Sequence, residues 1–221
     1  IGDATHLGLL KFTGNSPQTI TFHNSETRVA PMEIDSTSTV SFVGDVGIRT
    51  QPNIARGFVV TNGITDMSAT TNFRLFTVCC GSGFRLVPGG TVFENLTIKG
   101  QNPLYNLLGD LYVNGDFTVD TSGGSGGSVG SGDHNIFVKG NIDYQGNGLG
   151  GSYNVVVDGN TDQSFSTAGG SQLGPTSVVV NKSSGNLNLL TNFVFSTSGQ
   201  DLSLNNGIIN MNGFDLTVSD E

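Results

Sequence analysis

Seven aspartates crowd the middle of the chain, Asp110, Asp116, Asp120, Asp133, Asp143, Asp158 and Asp162, with Lys139 among them. Carboxylates stacked on one face beside a lysine are the equipment of polysaccharide cleavage, in which acids move protons and a cation steadies a developing anion. If layers of ~24 residues lie on one another, Asp110 or Asp116 falls near 133–143 and Asp158–Asp162 one layer further on, as an acidic ridge. The competing reading is turn geometry. The aspartates recur in Gly-Asp and Asp-Gly pairs (109–110, 115–116, 132–133, 158–159), the residues that sharp corners select. The turn reading carries the greater weight, and no catalytic residue is assigned. Corner carboxylates and carbonyls could also take a structural calcium, but neither a Gly/Asp nonapeptide repeat nor an EF-hand loop occurs, so no cofactor or metal is assigned.

The two cysteines are neighbours, Cys79 and Cys80. On a strand they point to opposite faces, and three states stay open: free thiols with one packed inward, a vicinal disulfide before Gly81, or an intermolecular bridge through the outward sulfur. His6, His23 and His134 are isolated and lack the spacing of zinc ligands. Tyr105, Tyr112, Tyr144 and Tyr153 are candidates for stacking on sugar rings, although the chain has no Trp and only 8% aromatics. Asn95-Leu-Thr97 and Asn181-Lys-Ser183 fit the N-glycosylation pattern, with a turn role the simpler account.

The elements that must position these groups are short strands and turns. The segments 32–48, 95–119 and 177–204 repeat one order of apolar runs and Gly/Asn/Ser turns, which points to a stacked architecture. Thirty-three glycines and 12% charged residues suit many strands and corners, while recurrent Val, Ile, Leu and Phe supply a core. Leu104, Leu107, Leu108 and Leu111 come nearest to helical spacing, and Gly109 interrupts them. The expected fold is all-β, a parallel β-helix or β-solenoid of short strands and Gly/Asn/Ser corners, with little or no helix. Asn205, Asn206, Asn210 and Asn212 are candidates for side-chain ladders at those corners. A single elongated domain over 1–221 is expected, with Gly/Ser-rich loops projecting at 121–135 and 145–152. Coils of ~20–25 residues would number on the order of nine. The rod would be about 40–45 Å long by strand spacing. An orthogonal β-sandwich accommodates many of the same strands, and parallel pairing is what separates the two.

Net charge −9, with nine Lys and Arg spread thinly, offers no footprint for a phosphate backbone, so nucleic acid is excluded as a partner. No run reaches the ~18 apolar residues of a membrane span. The chain opens at Ile1 without Met, which fits a processed or excised segment of an exported protein.

The phrases Asn160 to Phe165, Val178 to Gly185 and Met211 to Val218, echoed at 14–22 and 91–100, resemble the repeat segments of very large secreted surface proteins and adhesins of Gram-negative bacteria. The resemblance implies a right-handed parallel β-helix-like module, exported and repeated along a stalk or surface layer of the cell, with no catalytic residues to carry over. The functional expectation is therefore non-enzymatic: an extracellular structural or adhesive solenoid stacking end to end with copies of itself or with further repeats of a longer chain. The alternative is a carbohydrate-binding or polysaccharide-cleaving β-helix that meets surface glycans through the two Gly/Ser loops.

Overall fold

The computed structural model describes residues 8–23, 29–50, 57–77, 84–100, 104–122, 127–146, 149–168, 177–195 and 199–219. Among the described residues there is no helix, and every strand pairing is parallel, in one sheet of 16 strands and a second of two. Parallel pairing at intervals of 19–28 residues excludes the sandwich and defines a β-solenoid. Corner connections lengthen the N-terminal coils. Met32 pairs with Phe58 and Phe58 with Leu86, 26 and 28 residues on. Stacked at ~4.8 Å, the rungs from Gln18–Phe22 to 202–204 make a rod of about 40 Å.

Three walls surround the core. The first runs through Leu10–Gly14, 32–36, 58–62, Phe84–Val87, Leu104–Leu107, 127–130 and 149–151. The second runs through Gln18–Phe22, 40–44 and 64–70, then Val92–Phe93, Leu111–Val113, 136–138, 155–157, 178–180 and 202–204. The third runs through 45–50, 72–77, Leu96–Gly100, Phe117–Asp120, Ile142–Gln145, Gln163–Thr167, 187–189 and 208–210. Near one end a short pair, Phe193–Phe195 with Leu216–Val218, follows the third wall. Two strands, Met32–Thr50 and Phe58–Thr77, turn corners without leaving the ladder, at the cost of register shifts such as those at Ile34/Asp35 and Gly44/Asp45.

Period-two alternation decides what fills the middle. Leu96 and Ile98, Phe117 and Val119, Ile142 and Tyr144 point inward from successive turns of the third wall and are buried. Because equivalent positions stack, rings align along the axis. Phe117, Tyr144, Phe165 and Phe193 form an edge-to-face column with centroids 6.1, 5.5 and 4.8 Å apart. Phe42, Phe58, Phe73 and Phe93 form a second cluster nearer the other end. Such pairs add about 0.5–1.5 kcal/mol each beyond their burial.

The corner between the second and third walls is stacked backbone on backbone. Gly140 N donates to Gly115 O at 3.0 Å, and a Cβ on Gly140 would stand 2.3 Å from the Gly115 carbonyl carbon. Only glycine fits there. The connections from the third wall back to the first hold most of the variation in length, from three residues between Gly100 and Leu104 to seven between Thr50 and Phe58. The Gly/Ser-rich stretches cross this corner on adjacent turns. Thr121 N donates to Gln145 O, and from Gly127 and Leu149 both chains run as paired strands.

Candidate functional site

The acidic ridge dissolves into a corner ladder. Asn95 Nδ2 donates to Thr71 O at 2.8 Å, Asp116 N to Asn95 Oδ1 at 2.7 Å, Asn141 N to Asp116 Oδ1 at 2.7 Å, and Ser164 N to Asn141 Oδ1 at 2.9 Å. Each of these Asx side chains accepts the backbone N–H of the next turn, which spends the Asp116 carboxylate on structure. Asp162 serves Asn186 N and Asp110 serves Asn135 N in the same way. Asn95 of the first glycosylation pattern is thus a ladder residue, while Asn181 is exposed and in register with Asn206. Of the C-terminal asparagines, Asn210 donates to Asn188 Oδ1, and Asn212 donates to Leu189 O from a left-handed backbone (φ 49°). Asn205 and Asn206 are exposed.

Other candidates scatter. Tyr144 and Tyr153 are fully buried, with their hydroxyls 3.2 Å apart in the core, and cannot stack on a sugar. Burial pushes both phenols well above their ordinary range. Tyr112 lies outside, its ring flat on Phe137 at 5.0 Å, and Tyr105 sits on the first wall in register with Phe84 and Val129. His134 Nδ1 is 3.8 Å from Asp110 Oδ1, and His23 is exposed. Lys139 is an exposed corner residue, and Asp133 belongs to the strand Gly127–Val138. Cys79, Cys80 and His6 lie outside the described residues. Among the described residues no three His, Cys, Asp or Glu side chains gather to hold a metal.

Two places stand out. One is the outer face of the third wall. Here Arg74 lies in register with Thr97, Thr118 and Asp143, and Phe76 with Lys99, Asp120 and Gln145. The two columns border a groove of about 350 Å³. Lys99 Nζ reaches Asp120 Oδ2 at 2.7 Å, and Arg74 lies 3.5 Å from Asp45. Burial works to raise the Asp120 pKa, but the Lys99 ammonium and the Ser122 hydroxyl and N–H outweigh it and hold the carboxyl below its usual range. Gln145 Nε2 donates to Asp143 Oδ2 at 2.6 Å.

The other is the end of the stack at 201–218. Among the described residues, the strand Asp201–Asn210 pairs on one edge only, with Ser177–Leu189, and Leu216–Val218 only with Phe193–Phe195. Leu204 and Val218 take inward registers, over buried Val180 and Phe195, yet are 54% and 55% exposed. The core is open there.

A parallel β-solenoid with an outer groove is the class of protein that the geometry defines. Compared with protein-family models, curated proteins and solved structures, the chain has no match in any of the three.

Proposed function

We propose that the chain is a non-enzymatic structural element of an extracellular surface fibre or stalk, in which the turn at 201–218 receives the first turn of a second copy. The carrying observation is the open end. Leu202, Leu204, Ile209 and Leu216 occupy core positions that another turn would cover, and the backbone of 201–210 presents an unpaired parallel edge among the described residues. A free ladder edge above an uncovered core recruits another strand. The matching surface is the edge of Leu10–Gly14 and Gln18–Phe22 that is unpaired among the described residues, with Phe12 and Ile20 packed at the margin of the core and Leu10 exposed. Head-to-tail contact between two unlike ends does not close on itself, so it propagates as a filament. A surface location and an adhesive role follow the resemblance of the repeat phrases, and the ladder use of the carboxylates favours scaffold over catalyst.

Negative-stain electron microscopy and sedimentation over a dilution series test the reading. Concentration-dependent rods of growing length are expected, shortened to single units by Leu204→Lys with Val218→Lys. Monodisperse short rods at every concentration would sink it.

A further inference from the structure

We infer that the groove on the outer face of the third wall binds a neutral, hydroxyl-rich ligand, an oligosaccharide laid along the solenoid axis. This goes beyond the end-to-end role and stands on separate residues.

The groove is built by register. Four successive turns contribute Arg74 and Phe76, then Thr97 and Lys99, then Thr118 and Asp120, then Gln145 beside Asp143. Rungs ~4.8 Å apart give a run of about 14 Å, long and narrow rather than a pit for one ring. Its volume of about 350 Å³ falls among small-ligand sites of roughly 300–1,000 Å³.

The chemistry of the lining selects the ligand. A free anion is disfavoured, because Lys99 is already paired with Asp120 and Arg74 sits beside Asp45, so no uncompensated cation faces the space. An apolar ligand is disfavoured, because Phe76 is the one aromatic ring on a lining otherwise made of hydroxyl, amide and charged groups. A sugar needs donors and acceptors side by side on a rigid wall. Here the ammonium and the Gln145 amide donate, the Asp120 carboxylate accepts, and the Thr97 and Thr118 hydroxyls do either. Those two hydroxyls occupy adjacent rungs and have no hydrogen-bond partner among the described residues, although the serines and threonines at Ser166, Thr121 and Thr167 all have one. Because the side chains stand on a sheet held by the turns above and below, little ordering is lost on binding.

Affinity electrophoresis of the purified chain through gels carrying neutral soluble polysaccharides (a β-glucan, a galactomannan, a xylan) tests this, with a polyuronate as the anionic comparison. The expected result is retardation by at least one neutral polymer, insensitive to salt and weakened tenfold or more by Thr97→Val with Thr118→Val, a change that keeps strand shape while removing both hydroxyls. Circular dichroism checks that the variant is folded, and Thr118→Ser should retain binding. Retardation by the polyuronate alone, binding untouched by the valine pair, or no retardation by any neutral polymer would each overturn the assignment. The Leu204→Lys, Val218→Lys variant should bind normally, which separates this site from the end-to-end contact.

Discussion

Replacing Lys182 by methionine should destabilise the rod. Lys182 is 1% exposed, and its ammonium donates to Gly159 O at 2.9 Å, Thr161 O at 2.8 Å and Gln163 Oε1 at 2.5 Å. Gln163 continues the chain of bonds. Its Nε2 donates to Val138 O and Gly140 O on the turn beneath, while its Oε1 also accepts Gly159 N. One cation and one amide thus tie three turns together inside the corner. Their need arises because the ladder onto the turn beneath stops at Val157/Val180 and resumes at Gln163/Leu187, so regular ladder bonds are interrupted here. Methionine preserves the volume and leaves the carbonyls of Gly159 and Thr161 without that donor. An orphaned buried acceptor costs about 1–3 kcal/mol, which applies to Gly159 O, whereas Thr161 is exposed and its carbonyl can turn to water. Relief from burying a charge offsets part of this and leaves a net loss of about 1–2 kcal/mol. Burial depresses the Lys182 pKa against the pull of Asp162 and Asp158. A depressed lysine releases its proton in the fold before it does so in the unfolded chain. Stability therefore gains as pH rises from the folded value toward 10.5, and the methionine variant must lack that gain. Urea unfolding of wild type, Lys182→Met, Gln163→Met and the double variant gives the coupling directly. A Lys182→Met midpoint equal to wild type, or strict additivity of the pair, would refute the reasoning.

Alkaline stability should follow Tyr144 and Tyr153. Burial raises both phenols above the ordinary 10.0, so beyond pH 10 the unfolded chain loses protons that the fold retains. Stability then falls by up to about 2.7 kcal/mol per pH unit for the two groups, a slope that Tyr144→Phe with Tyr153→Phe removes in pH-dependent urea unfolding. Gly140→Ala should cost about 1–3 kcal/mol or more, because its Cβ meets the Gly115 backbone at 2.3 Å, whereas Gly90→Ala meets nothing within 4 Å and pays only the strain of its φ of 81°. Thermal melts of the two variants rank them, and equal shifts would contradict the stacked-corner account.

Much of the fold was legible because a solenoid encodes itself locally. Gly115-Asp116, Gly140-Asn141 and Gly159-Asn160 mark equivalent corners, and the runs between them alternate inward and outward. The same alternation held signals that were passed over. In Ser177–Leu189 the inward positions Val178 and Val180 are followed at the same parity by Lys182, and in Ile142–Gln145 the buried Ile142 puts Tyr144 inside, which removes it from any sugar. The bounds of each coil were not legible, because the connections from the third wall back to the first vary between three and seven residues, and nothing local fixes how much chain a corner consumes. The groove was not legible at all. Arg74, Thr97 and Thr118 meet only through registers set over more than 20 residues, so their neighbourhood exists in the stack and not in the string.

The one-directional ladder also decides how the molecule meets force. In a parallel solenoid the backbone hydrogen bonds lie along the axis, so tension applied at the two ends pulls turns apart one after another instead of shearing a whole sheet at once. The corner ladder spaces turns by 21–25 residues, and each turn that opens frees about 70–85 Å of chain at full extension. A tether made of such turns lengthens in steps under strain. With the Lys182–Gln163 bolt spanning three of them, the turns around 138–182 become the last to yield.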